Sequence, residues 1–195
     1  MNDAITFKKA THADKEIIFS WLAEPHIQEF WDNTQAHKDD ILNFMDGRKS
    51  PSSYCDGKYI YWLAFVGNEP YAMLMTILET PQSDIGALKL AQLSKTGNTY
   101  GMDYMIGNTA YLGKGYGAKT LIAFMRFLRS EFDTRADAFL IDPAADNPRA
   151  KRVYEKAGFK HISDFLMEGD CSGSGKLHHL LLKKFSSRVN SSKGD

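Results

Sequence analysis

Apolar and polar residues alternate over Ile5–Lys9, which predicts a short strand, and Thr11 with Asp14 forms a capping-box signature for a helix carrying Ile17, Ile18, Trp21 and Leu22 on one side. Pro25 opens a second short helical piece in EPHIQEFW. Ile41, Leu42 and Met45 stand at helical spacing in a helix predicted over 37–46 and stopped by Gly47. These two pieces are expected to wall a cleft. Residues 47–58 are rich in Ser, Gly and Pro and read as a loop; 59–66 and 71–78 read as strands of a hairpin turning across Gly67-Asn68-Glu69-Pro70. The segment 86–97 is ambiguous, since GALKLAQL reads as a helical turn or two, and it leads into an apolar strand over 100–106.

Beyond this strand the pattern changes. A glycine-rich turn at 113–118 leads into a helix over 119–131, with Ala118, Leu121, Ile122, Met125 and Leu128 as an apolar stripe. A short strand follows at 138–142. Asn147 before Pro148 is an N-cap ahead of an N1 proline, starting a helix that runs to about Lys156 and closes at Gly158. Two last strands, 160–167 and 177–183, flank a polar loop at 169–175, and SSRVNSSKGD reads as a disordered tail. The expectation is a single domain over 1–185 and a tail over 186–195, without internal repeats.

Composition narrows the classes of function. A chain of 195 residues, 43% hydrophobic and 25% charged, suits one globular domain with a core. Twenty-four basic residues balance twenty-four acidic ones, so no global positive field gathers nucleic acid or anionic lipid, and neither is expected as a partner. The opening MNDAITFKKATHADKE lacks an apolar stretch of roughly 7 to 15 residues; neither signal peptide nor membrane anchor is expected, and the protein is expected in the cytoplasm. Cys55 and Cys171 stand far apart, outside any CxxC or Cys/His ligand spacing, which predicts reduced thiols and no metal site.

Candidate chemistry begins at Leu112-Gly113-Lys114-Gly115-Tyr116-Gly117-Ala118. Three alternating glycines let several backbone N–H groups converge where a helix begins, and such a point attracts phosphate. Gly113 to Thr120 also comes within one residue of a phosphate-binding nucleotide loop, but Ala118 replaces its second glycine and the dinucleotide fingerprint fails by spacing. Downstream stands N-x-x-A-x-x-x-Y-E-x-x-G-F, from Asn147 to Phe159. With the glycine turn, this string resembles the GNAT acetyltransferase superfamily, from the opening strand to the last hairpin and most strongly between Gly101 and Phe159.

The resemblance implies an α/β (α+β) fold: a mixed, mostly antiparallel sheet of about seven strands with a splayed parallel pair and helices on both faces. It implies acetyl-CoA as co-substrate, its pyrophosphate on Gly113, Lys114, Gly115, Tyr116, Gly117 and Ala118. Asn147 would hydrogen-bond the pantetheine arm and main-chain groups of Tyr104, Met105 and Ile106 would meet the thioester. Tyr154 would protonate the departing thiolate, as a phenol of reference pKa about 10 can. Leu112 departs from the family's usual Gln or Arg, costing one phosphate contact. Asp103 and Asp142 can face the acceptor, orient a cationic amine and relay its proton; the bland alternatives are that Asp142 caps a turn before Pro143 and Asp103 lies solvated at a strand edge.

Within the superfamily, the segment from Trp21 to Trp31, GMDYMIG, LGKGYGAK and the DP…NPRAKRVYEKAGF block are similar to aminoglycoside 6′-N-acetyltransferases and to related siderophore-biosynthesis acyltransferases. On the first similarity Asp103 and Asp142 fall at acidic substrate positions, Trp31 at an aromatic pocket wall and His26 in the cleft. The implied reaction is direct acetyl transfer to a primary amine of a small molecule, by a monomer or homodimer. Two departures bear on the acceptor: GALKLAQLSKTGNT is neutral to basic where those enzymes carry an acidic, Trp-containing insertion, and Met73 and Met75 make the second central strand apolar. A hydroxylamine or lysine-derived acceptor, or an acyl-CoA-binding module without acyl transfer, are the alternatives.

Overall fold

The structure, a computed structural model, describes residues 4–167 and 175–185. Strand β1 (Ile5–Lys9) passes through a 3-10 turn at His12–Asp14 into α1 (Lys15–Leu22). The capping box forms: Asp14 accepts from the Thr11 amide at 3.0 Å and the Thr11 hydroxyl at 2.7 Å. Ile18, Trp21 and Leu22 are buried, but Ile17 is 37% exposed, since one residue of helix turns it about 100° off the buried stripe. α2 (Pro25–Gln28) and α3 (Gln35–Met45) follow, the latter capped by the Thr34 hydroxyl. β2 (Ile60–Val66) and β3 (Glu69–Glu79) form the hairpin. Pro70, assigned to the turn from sequence, lies inside β3, where a register shift beside Phe65 tolerates its missing N–H.

α4 (Gly86–Leu90) resolves the ambiguous segment as a short helix ahead of β4 (Asn98–Ile106). α5 (Tyr116–Phe127) starts three residues earlier than its apolar stripe indicated and ends in a π-helical turn at Leu128–Phe132. The stripe also missed Phe124, which is fully buried. Then come β5 (Ala136–Ile141), α6 (Pro148–Lys156), β6 (Lys160–Leu166) and β7 (Leu177–Lys184). The tail, Cys171 and the loop expected at 169–175, Gly175 apart, fall outside the described residues. Among the described residues no helix is long and apolar enough to cross a membrane.

The seven strands form one sheet in the order β1-β2-β3-β4-β5-β7-β6. Strand alternation gives it two apolar faces. Trp62, Leu74, Tyr100 and Phe139 pack with Leu121, Phe124 and Met125 of α5 and with Tyr154 of α6. On the other face Tyr61, Leu63, Met73, Met75 and Met105 pack with Ile18, Trp21, Leu22 and Ile41. Each fully buried leucine here contributes about 1.5–3 kcal/mol by leaving water. A glycine sets the closest approach: a Cβ on Gly107 would lie 2.0 Å from the Trp21 ring.

All neighbouring strands are antiparallel except β4 and β5. That parallel pair is short. It runs only from Asn98↔Ala136 to Gly101↔Leu140, while β4 continues to Ile106. Past Gly101 the two strands part, so alternate main-chain groups of β4 lose their partner on that side. The splayed pair expected from the resemblance is present, and it opens a passage between the two faces.

Candidate active site

On the α5 side of the passage stands the glycine turn. Gly113 and Gly115 have φ of 72° and 80°, a backbone that only glycine adopts without strain. A Cβ at either would meet nothing within 4 Å, so the space before the turn is open and conformation alone demands glycine. Gly117 differs: a Cβ there would lie 2.9 Å from a Val153 methyl, so this glycine sets the α5–α6 distance. Gly115 is the N-cap of α5, and the N–H groups of the first turn, through Tyr116, Gly117 and Ala118, have no partner within the helix. Those donors and the positive helix end suit a phosphate. The residues present therefore fit the pyrophosphate of acetyl-CoA.

α6 lies beside this turn. Asn147 caps it, its Oδ1 accepting from the Ala150 amide at 3.0 Å, and Pro148 occupies the first turn. Seven residues on, Tyr154 is 7% exposed and packs among core residues, its ring 6.3 Å from that of Phe159. Burial, and then the negative charges of Asp103 and Asp142, push its phenol well above the usual range. It keeps its proton at any physiological pH. Nearby, the Tyr104 hydroxyl is buried without a hydrogen-bond partner among the described residues.

Across the passage, on the α1–α3 face, a cavity of about 40 Å³ is lined by Asp103, Asp142, Glu79, Lys89 and Tyr59. Asp103 sits opposite Met75 in the β3–β4 register, and Asp142 follows the last residue of β5, so both carboxylates flank the splay. Burial, and next the Asp142 charge, raise Asp103 to about 7, against the pull of Lys89 and His37. Glu79 is also raised, chiefly by burial, and its Oε2 is buried without a partner among the described residues. Lys89 reaches in from α4, its Nζ 3.2 Å from Asp142 Oδ2. His178 on β7 donates from Nδ1 to the Asp142 carbonyl at 2.7 Å, which fixes the chain just past β5.

Asp103, Asp142 and Tyr154 thus come together around the splay. Three partners were missed. Glu79 shares the β3 alternation of Met75, a signal that strand parity carried; Lys89 and Tyr59 gave none, because their positions depend on α4 and on the loop before β2. Trp31 and His26 are outside this cavity's lining. Trp31 packs at the rim of the α1–α3 cluster, and His26 donates from Nε2 to the Ile106 carbonyl at 3.1 Å, tying α2 to the end of β4. Met73 and Met75, expected to wall the pocket, are buried in that same cluster. Among the described residues, potential metal-ligand atoms converge at His161, Asp164 and His179 on β6 and β7, where Asp164 Oδ1 hydrogen-bonds both rings at 2.7 and 2.5 Å.

This geometry has counterparts in known proteins. Residues 10–167 match the family model described as an acetyltransferase (GNAT) domain. Aminoglycoside N(6′)-acetyltransferase type 1 from Klebsiella pneumoniae is 27% identical over 159 residues, 82% of this chain and 75% of that protein. A kanamycin resistance protein from Rhizobium radiobacter is 40% identical over 60 residues, 31% of this chain and 54% of that one. Aminoglycoside N(6′)-acetyltransferase from Legionella pneumophila superposes with a TM-score of 0.71 at 23% identity, covering 93% of this chain and 92% of that one. Aminoglycoside acetyltransferase AAC(6′)-Ib, solved with coenzyme A and kanamycin, superposes at 0.69 with 20% identity, covering 93% and 95%. With the glycine turn, the capped helix and the splayed strands in place, the chain belongs to the GNAT acetyltransferase family.

Proposed function

We propose that the chain is an acetyl-CoA-dependent N-acetyltransferase of the aminoglycoside 6′ kind, moving an acetyl group directly to a primary amine of a small molecule. The observation that carries this reading is the β4–β5 splay, with the glycine turn and Tyr154 on one side and the Asp103–Asp142 pair on the other. The first-turn N–H groups of α5 hold the pyrophosphate, and the Asn147 side-chain NH₂, left over from capping, is available to the pantetheine arm. Main-chain N–H groups of β4 beyond Gly101 stabilise the negative charge that develops on the thioester oxygen.

Acceptor ammonium groups have pKa values near 10 and must lose a proton before they attack. Asp103, poised at about 7, holds the cation and then takes or relays that proton. As the C–N bond forms and the C–S bond breaks, Tyr154 supplies its proton to the sulfur. Thiol release with acetyl-CoA and a panel of kanamycin, spermidine and simple alkylamines tests the activity; tight CoA binding without turnover on any amine would reduce the chain to a binding module. Tyr154→Phe is expected to lower kcat at least about a hundred-fold while leaving CoA affinity within about two-fold. An unchanged kcat removes Tyr154 from the acid role.

A further inference from the structure

One of the two carboxylates that would face the acceptor's ammonium, Asp142, already holds a cation. Lys89 Nζ lies 3.2 Å from Asp142 Oδ2, and the two side chains are only 17% and 18% exposed. On its way in, Lys89 passes the Phe165 ring, with Nζ 5.2 Å from the centroid. A primary ammonium on a flexible four-carbon stem, projecting between carboxylates, is chemically the same object as the end of an amine substrate. Beside it the cavity has about 40 Å³, room for a few waters.

Two physical constraints follow. A second cation cannot share Asp142 with Lys89 at contact distance without like-charge repulsion, and a part-buried Asp142 cannot lose its cation uncompensated. Exchange of one ammonium for another satisfies both. Lys89 can make this exchange, because its stem is rotatable and it stands on a five-residue helix outside the sheet, so the side chain can turn to solvent without moving a strand.

We propose that Lys89 is a built-in occupant of the acceptor-ammonium subsite, holding Asp142 until a substrate amine displaces it, and that it sets which amines are used. The proposal rests on the reading that the Asp103–Asp142 cavity takes the acceptor. An amine then binds with an affinity reduced by the fraction of time Lys89 is withdrawn. Acceptors with one or two cationic groups gain one carboxylate contact and lose none. Polycations meet, beside that contact, a displaced lysine at the cavity mouth, which repels the charges they carry away from the reacting amine.

The experiment compares Lys89→Met, which keeps the stem and removes the charge, with Lys89→Arg, which keeps the charge. Steady-state kinetics with kanamycin and a simple alkylamine, and calorimetric binding of kanamycin to the CoA-loaded protein, are the readouts. Lys89→Met is expected to lower KM for both amines about ten-fold, more for kanamycin than for the alkylamine, with CoA affinity within about two-fold and the acidic limb of the rate profile moved to higher pH, because the charge that opposed the rise of Asp103 is gone. Lys89→Arg should keep the parent KM. An unchanged or raised KM in Lys89→Met with an unaltered melting temperature overturns the proposal. If neither protein acetylates any amine, the acetyltransferase reading fails, and kanamycin binding still decides about Lys89: about ten-fold tighter binding to Lys89→Met supports it, while equal binding, or none by either protein, overturns it.

Discussion

Asp103 is the residue on which the proposed chemistry turns. Its carboxyl is raised to about 7 by burial first and by the neighbouring Asp142 charge second, so it titrates where the enzyme would work. Two consequences of opposite sign follow. If the anion holds and deprotonates the acceptor, kcat/KM rises with pH to a plateau above about 7, and Asp103→Asn loses that limb while binding CoA normally. Stability runs the other way. Between the usual carboxylate range and about 7 the native state binds the proton and the unfolded chain does not, so stability falls as pH rises through this window. Asp103→Asn should flatten that fall. Urea melts of both proteins at pH 5 and pH 8 check it; a variant as pH-sensitive as its parent would show that Asp103 is not the titrating group.

At the scale of elements, α5 and α6 illustrate how short signals place a site. Gly117 lets the two helices approach closely, so the open end of α5 stands against α6 at Val153. Asn147 works twice in this arrangement, its carbonyl oxygen on the Ala150 amide and its NH₂ free for the pantetheine arm. The roles can be separated. Asn147→Ala should cost about 1 kcal/mol of stability and weaken CoA binding, whereas Asn147→Ser keeps a cap acceptor but lacks the amide donor. The expected result is a serine variant of nearly parental stability with weakened CoA binding, measured by urea unfolding and calorimetry. Parental CoA affinity in that variant would confine Asn147 to capping.

On the scale of the whole molecule, the acceptor side of the sheet is held by a buried polar network outside the reacting centre. Asp40 of α3 is fully buried and accepts from Arg48 and, at 2.7 Å, from the Tyr61 hydroxyl. Arg48 also donates to the Tyr59 carbonyl, so one guanidinium fastens the loop after α3 to the residue that brings a phenol into the cavity. Losing it leaves a buried carboxylate without its cation. Arg48→Met is expected to destabilise the fold by roughly 2–4 kcal/mol and to raise KM for the amine more than for acetyl-CoA. Equal effects on both would mean that the loop does not shape the acceptor cavity.

Hydrophobic periodicity determined most of the elements, because burial on one face of a strand or helix imposes a local repeat that the chain cannot hide. Backbone chemistry likewise determined the glycine turn and the capped helix, since a positive φ demands glycine and an exposed helix start demands an acceptor. The glycine turn and the string from Asn147 to Phe159 together resembled a known family, and that resemblance marked Tyr154, Asn147, Asp103 and Asp142. The start of α5 was set by packing instead: Tyr116 and Gly117 join the helix because α6 lies against it. What filled the acceptor cavity was decided only in three dimensions. Lys89 comes from a segment whose sequence was ambiguous, and its pairing with Asp142 depends on where α4 rests on the sheet. Glu79, Tyr59 and the raised Asp103 belong to the same class, for burial and electrostatic coupling are properties of neighbours in space, and a sequence orders neighbours only along the chain.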